Sequence, residues 1–288
     1  MKTYSEYLAG IFPGMKVQKI SVNAGMSCPN RDGTIGTGGC SYCRVDSFTP
    51  SYCMEEPGVA AQIERGKAFF ARKYPEMRYL AYFQSFTNTH GRSLAALEAL
   101  YREALACRDV VGLIVGTRPD TLPDDVVGLL SRLAADVPVF VEIGAESTFD
   151  ETLRRVNRGH TWAQTADAVT RCAAAGLHCG LHLIAGLPGE DDAMVMENVR
   201  RACRLPIETL KLHQLQIIEG TPLHRAWLAG TAGVEPYTLE RYTALCRAIL
   251  RIIPEDVVVE RWLAQSPPQM VAAPKWGIKN YQFNNILK

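Results

Sequence analysis

The chain reads as an α/β protein folded as a partial (β/α)6 barrel with a short C-terminal extension. Three features predict this. Short β-rich runs alternate with longer helical segments, the alternation continues through six or seven units, and polar or glycine-rich clusters directly follow the apolar runs. Such alternation specifies a parallel sheet with crossover helices. A chain of 288 residues is long enough for one such core, which buries roughly three quarters of the unfolded surface.

Strands are expected at Lys19–Val22, Tyr79–Gln84, Val111–Val115, Val137–Ile143, His178–Ala185, Thr209–Ile217 and Val257–Glu260, each rich in apolar side chains. Helices are expected at Glu55–Lys73, Ser93–Cys107, Pro123–Ala135, Thr161–Ala175, Asp191–Cys203 and Leu239–Ile253, where Ala, Leu, Val or Ile recur at intervals of three and four. Ser93 and Thr161 mark helix starts, since a short hydroxyl side chain accepts from the free amides of a first turn; Gly176 and Gly112 mark stops. Residues 1–230 are assigned to the barrel core and 231–288 to a helical and extended segment that closes it. No internal repeat is evident.

Hydrophobic residues make up 47% of the chain and charged residues 21%, as in ordinary folded domains. The net charge of +1 excludes the broad basic footprint of a nucleic-acid-coating protein, so any RNA contact has to be local. No apolar run approaches the roughly 18 residues of a membrane span, and Met1–Gly10 lacks the pattern of a cleaved signal, so a cytoplasmic location is expected. Nine scattered cysteines fit a reducing compartment with metal or thiol chemistry better than a disulfide framework. Cys107, Cys172, Cys203 and Cys246 fall in helical patterns and read as buried apolar residues; Cys53 reads either as a substrate-side thiol or as another buried cysteine.

Barrel sites lie at the C-terminal ends of the strands. There the chain carries Gln84–Asn88, Gly116–Asp120, Gly144–Ser147, Gly186–Glu190 and Glu219–Pro222. After the first strand comes a glycine-rich loop with Cys28, Cys40 and Cys43, spaced by eleven and then two residues, without a fourth local ligand. A closed zinc site takes four protein ligands, whereas three thiolates on a cubane leave one iron open. On the loop alone the two readings stand level, because His90 or His160 is available as a distant zinc ligand.

Seven segments carry a resemblance: Cys28-Pro29-Asn30-Arg31-Asp32-Gly33-Thr34, Tyr82-Phe83-Gln84 with Thr87-Asn88-Thr89, Gly116-Thr117-Arg118-Pro119-Asp120, Asn157-Arg158-Gly159-His160, Gly186-Leu187-Pro188-Gly189-Glu190, Lys211-Leu212-His213 and Ala273-Pro274-Lys275-Trp276. With them the chain resembles the radical S-adenosylmethionine (SAM) superfamily, in the branch of Elp3-like and MiaB-like RNA-modifying enzymes, and within it the YhcC-like or YtqA-like family. The resemblance spans about Lys16 to Thr221. It implies that Cys28, Cys40 and Cys43 bind a [4Fe-4S] cluster whose open iron chelates SAM, and that reduction cleaves SAM to a 5′-deoxyadenosyl radical for C–H activation. It also implies an electron donor, a reductase with flavodoxin or ferredoxin.

By the same resemblance Gln84, Ser85 and Thr87 lie near the SAM amino group, although the Gly-Gly-Glu of many superfamily members is absent. Glu146 touches the ribose or methionyl part, Arg158 pairs with the carboxylate, and Gly186 and Leu187 pack against adenine or belong to a plain strand-to-helix turn. His182 lies near the ribose at a position often acidic in relatives. Arg118 contacts SAM or substrate, or sits in a salt-bridged loop; His213 and Gln214 meet substrate or fill the core. Arg261 and Trp276 close the barrel's open side, with Trp276 stacking on a base or plugging the core. The pairs Arg154-Arg155 and Arg200-Arg201 read as solvated helix faces. The implied function is tRNA wobble-uridine modification. A peptide or small metabolite is the alternative substrate, and a zinc-stabilised binding protein without catalysis is the alternative class.

Overall fold

The computed structural model describes residues 2–71 and 76–287. Its strands are β1 (Val17–Val22), β2 (Arg78–Phe83), β3 (Val110–Thr117), β4 (Val139–Glu146), β5 (His178–Ala185), β6 (Thr209–Gln214), β7 (Ile217–Ile218), β8 (Val258–Arg261) and β9 (Val271–Ala273). Strands β1 to β6 and then β8 form one seven-stranded sheet in chain order, parallel at every step. β7 and β9 form a separate antiparallel pair. The expected partial barrel is what the chain builds, with a seventh strand supplied by the last segment.

Helices α1 (Tyr4–Ile11), α2 (Tyr52–Glu55), α3 (Val59–Ala71), α4 (Leu94–Ala106), α5 (Asp124–Ala134), α6 (Asp150–Arg155), α7 (Trp162–Ala174), α8 (Asp192–Ala202), α9 (Pro222–Leu228), α10 (Leu239–Leu250) and α11 (Asn280–Leu287) accompany the sheet. Side chains alternate across each strand. Ala81, Phe83, Leu113, Val115, Val141, Ile143, Leu181, Leu183, Leu210 and Leu212 belong to the large core under the helices. Leu80, Ile114, Phe140 and Val258 point the other way and meet Tyr7, Leu8 and Phe12, so α1 stoppers the N-terminal end of the barrel. No helix among the described residues is long and apolar enough to cross a membrane.

The sheet curls without closing. β1 and β8 share no backbone ladder, yet Lys19 Nζ on β1 lies 2.8 Å from Glu260 on β8. The free edge of β1 is occupied by side chains: Ser21 O accepts from Tyr52 Oη at 3.0 Å and Cys53 Sγ at 3.1 Å. Cys53 is therefore a buried edge cap rather than a substrate-side thiol.

Several boundaries differ from expectation. The helix expected at Glu55–Lys73 is two helices, because Pro57 drives Glu56 out of the helical region (ψ 126°); Lys73 lies outside the described residues. The strand expected to reach Ile217 ends at Gln214, whose Oε1 accepts from Ala264 N at 3.1 Å, and Ile217–Ile218 pair elsewhere. Gly112 is no helix stop but lies inside β3, where a Cβ would come 2.5 Å from Pro138 O. Ser93 and Thr161 do cap α4 and α7, and Gly176 follows α7 with φ 77°. Cys172 and Cys246 are buried; Cys107 and Cys203 are half-buried at helix C-caps.

Candidate active site

A cavity of about 360 Å³ opens at the C-terminal ends of the strands. Cys28, Cys40 and Cys43 line one side of it. Their loop is folded by its own amides: Arg31 N and Asp32 N donate to Cys28 O at 2.8 and 3.1 Å, and Cys43 N donates to Cys40 O at 3.0 Å. The turn before α7 clasps it from outside. Asn157 Nδ2 donates to Gly39 O at 2.9 Å, Asn30 Nδ2 donates to Asn157 O, and Ser41 N donates to Val156 O at 2.9 Å. Arg31 donates to Cys43 O at 2.8 Å and stands beside all three sulfurs. Burial and the neighbouring Cys40 push the Cys43 thiol up to about 11.

Arg158 joins this loop to the strand ends. Its Nη1 lies 3.7 Å from Cys40 Sγ, Nη2 donates to Gly144 O at 2.7 Å, and Nε donates to His160 Nε2 at 3.0 Å. Since Nε can only donate, His160 Nε2 accepts; burial and Arg158 together push that imidazole down to about 2. His160 is thus a neutral buttress beside Arg158, and His90 is bonded to Asp32 at 2.8 Å. Among the described residues no three His, Cys, Asp or Glu side chains converge closely enough for a single ion.

Glu146 ends β4 at a bulge with φ 67°, a left-handed conformation that costs a non-glycine residue of order 1–3 kcal/mol. The bend turns its carboxylate into the cavity, 3.3 Å from Arg158 Nη2. Gly144 leaves the room: a Cβ there would stand 2.7 Å from both Arg158 Nη2 and Glu146 Oε1. His182 Nδ1 reaches 3.4 Å from Glu146 Oε2, within ion-pair distance but without hydrogen-bond geometry, so Oε2 is left without a partner. Burial outweighs the nearby Arg158 and Arg118 and holds the Glu146 carboxyl above its usual range.

Of the residues expected at the site, Cys28, Cys40, Cys43, Gln84, Thr87, Arg118, Glu146, Arg158 and His182 line this cavity together. Ser85, Gly186 and Leu187 do not. Ser85 Oγ bonds Thr49 Oγ1 at 2.9 Å, Leu187 sits in an apolar cluster with Ile184 and Leu215, and Gly186 lies against Tyr237. Arg118, 2% exposed, sits in the salt-bridged loop, with an ion pair to Asp120 at 2.9 Å, and its Nη1 has no partner in the cavity wall. His213 lines the cavity, whereas Gln214 is spent on Ala264. Trp276 is half-buried against the main core, where it packs on Tyr242 and its indole donates to Tyr237 O at 3.1 Å.

Comparison with known proteins decides the family. A sequence model described as "Radical SAM superfamily" matches residues 32–202, and the "Radical_SAM C-terminal domain" matches residues 207–288. Protein YhcC of Escherichia coli K12 is 37% identical over 265 residues, covering 91% of this chain and 83% of the relative. The chain belongs to the radical SAM superfamily. YtqA of Bacillus subtilis, called uncharacterized, is 32% identical over 269 residues, 93% of this chain and 83% of its own. The tRNA uridine(34) acetyltransferase of Methanocaldococcus jannaschii is 27% identical over 164 residues, which are 56% of this chain and 29% of that protein. Among solved structures, the archaeal Elp3 of Methanocaldococcus infernus superposes with a TM-score of 0.68 at 19% identity over 94% of this chain, which spans 62% of that one.

A radical SAM enzyme implies an iron–sulfur cluster and SAM, and the cavity suits both. Three thiols open on it from one loop, and Tyr42 Oη, Arg118 Nη1, Glu146 Oε2, His182 Nε2, Gln216 Oε1 and Arg261 Nε are buried around it without hydrogen-bond partners. Each such atom left unpaired costs about 1–3 kcal/mol, so the set marks where a polar ligand belongs.

One part of this radical SAM site went unread in the sequence. Its floor is a ring of alternating charge: Lys19 lies 2.7 Å from Glu142 and 2.8 Å from Glu260, and Lys211 lies 2.6 Å and 3.0 Å from the same two carboxylates. Tyr82 Oη donates to Glu142 at 2.6 Å. Burial opposes both charges, yet the partners outweigh it, holding Lys19 well above and Glu142 well below their usual ranges. Period-two spacing of polar residues inside otherwise apolar strands, Lys19, Tyr82, Glu142, Lys211 and Glu260, was the available signal.

Proposed function

We propose that Cys28, Cys40 and Cys43 hold a [4Fe-4S] cluster, that SAM occupies the adjoining cavity, and that the substrate is the wobble uridine of tRNA. The observation that carries the first two parts is the opening of three cysteines, with no fourth ligand, onto a cavity ringed by unpartnered buried polar atoms. When bound, the cluster and SAM supply one electron and the organic radical it frees from the sulfonium. The chain's own residues bind and position. Arg158 offers its charge and the remaining Nη1 hydrogen to a carboxylate, Glu146 Oε2 accepts from an ammonium or a ribose hydroxyl, and Tyr42, Ile184 and Leu215 form an apolar wall for a purine. The floor of paired charges and the α1 stopper exclude water from below.

Support for tRNA comes from the tRNA uridine(34) acetyltransferase likeness and from the mouth, where Arg31, Arg44 and the exposed ring of Phe48 offer phosphate contacts and a stacking surface for a base drawn out of a loop. Two measurements test the proposal. Anaerobic reconstitution is expected to give a brown protein that cleaves SAM with dithionite, with colour lost on Cys28→Ala, Cys40→Ala or Cys43→Ala; a colourless protein with one tightly bound zinc overturns the cluster. Mass spectrometry of tRNA nucleosides from a deletion strain is expected to show an altered uridine-34 derivative. An unchanged nucleoside profile retires tRNA in favour of a peptide or small metabolite.

A further inference from the structure

The cations that line the cavity are not equally provided for. Arg158 faces Glu146 at 3.3 Å, Arg118 faces Asp120 at 2.9 Å, Arg44 faces Asp46 at 2.8 Å, and Arg31 stands among the cysteines. Lys211 sits between Glu142 and Glu260 at 2.6 and 3.0 Å. Arg261 is the exception. It ends β8, is half-buried, and among the described residues forms no ion pair, while its Nε is buried with no acceptor.

The same wall carries two acceptors. His213 Nδ1 lies 2.9 Å from Gln214 O; a carbonyl only accepts, so Nδ1 holds the proton and Nε2 is left as a lone pair. Burial, with Arg261 beside it, pushes this imidazole down to about 3, so it stays neutral at physiological pH. Gln216 Oε1 is buried with nothing to accept from. None of these three residues is among those expected to hold SAM, and they sit on β6, the segment after it, and β8 rather than on the cysteine side.

We propose that Arg261, His213 and Gln216 form a substrate subsite for a small oxyanion group that carries an N–H or O–H donor beside it. The proposal rests on the reading that SAM takes the cysteine side of the cavity. Arg261 receives the oxyanion through its fork, and Gln216 Oε1 and His213 Nε2 accept from the neighbouring donor. A purely apolar substrate would leave the buried Nε of Arg261 unpaired. The oxyanion is either a carboxylate on the reacting group or a phosphate beside it.

Titration calorimetry on the full chain, before and after anaerobic reconstitution with SAM, uses acetate, glycolate and inorganic phosphate as ligands. Saturable binding of glycolate or phosphate is expected, with acetate weaker than glycolate because it lacks the donor. Glycolate the tighter assigns a carboxylate, phosphate the tighter a phosphate. Arg261→Gln is expected to weaken the tighter ligand about tenfold or more, Arg261→Lys less, with SAM affinity unchanged in both; Gln216→Leu removes the advantage of glycolate over acetate. Absence of saturable binding by all three ions, equal binding in Arg261→Gln, or a fall in SAM affinity there overturns the subsite. Failure of the wild-type chain to take up cluster or SAM defeats the parent reading alone, since the ion titrations on the unreconstituted chain still report on Arg261.

Discussion

Arg158 connects three things that the sequence holds far apart: the sulfur of Cys40, the backbone of Gly144 and the carboxylate of Glu146. Truncating it strands Glu146 in a buried site, and Arg158→Ala is expected to cost about 3–5 kcal/mol of stability, read as a lower urea midpoint; a change under 1 kcal/mol contradicts the network. The buried neutral histidines set a pH dependence. His160 and His213 sit at about 2 and about 3 in the fold against 6.5 when free, so the unfolded chain binds more protons across that window. Stability is present above pH 6.5 and is lost as pH falls, by up to about 1.4 kcal/mol per unit per histidine. Glu146, shifted upward from 4.5, works in the opposite sense, while His182, also pushed down by burial, adds to the decline between pH 6.5 and 5.5. Urea midpoints across that interval check this, and His213→Asn is expected to flatten the slope. Gln84, Thr87, Arg118 and Glu146 were legible because each stands at a strand end behind an apolar run, whereas Arg158 and His182 were reached only through the family resemblance. Tyr42 and Gln216 were not, since only the fold shows that their polar atoms are buried without partners.

Helices and strands were read well where periodicity was strong and poorly where one residue intervened. Pro57 and Gly112 are the two instructive cases, one splitting a helix and the other admitting a neighbouring strand. Gly112→Ala must push its Cβ against Pro138 O, a backbone atom 2.5 Å away, and a destabilisation of about 1–3 kcal/mol is expected from denaturant unfolding; an unchanged midpoint contradicts the close approach. α1 escaped the reading although Thr3 and Glu6 form a reciprocal cap there, a four-residue signature ahead of an apolar stretch. What the sequence lacks is any sign that Tyr7, Leu8 and Phe12 stopper a barrel rather than cover its outside. Leu8→Ala is expected to cost about 2–5 kcal/mol by the same measurement, because α1 cannot slide inward to refill the end of a rigid sheet.

For the whole molecule, curvature is the property that no local pattern encodes. Seven parallel strands in chain order would suit an open sheet equally well, and the curl shows only where side chains from β1, β2, β4, β6 and β8 meet across the interior. Lys19 and Glu260 span the unpaired edges at 2.8 Å. Lys19→Met alone is expected to cost about 3–5 kcal/mol, since two buried carboxylates then share one lysine, while Lys19→Met with Glu260→Met recovers much of it. A double-mutant cycle in urea reads the coupling, and additive single effects contradict it.

A closed eight-stranded cylinder has its girth locked by continuous backbone bonding, and every change of diameter has to stretch that lattice. This molecule's girth is set at one seam by an ammonium and a carboxylate. The bore can therefore be retuned by exchanging two residues that do not line the cavity, leaving every ladder intact.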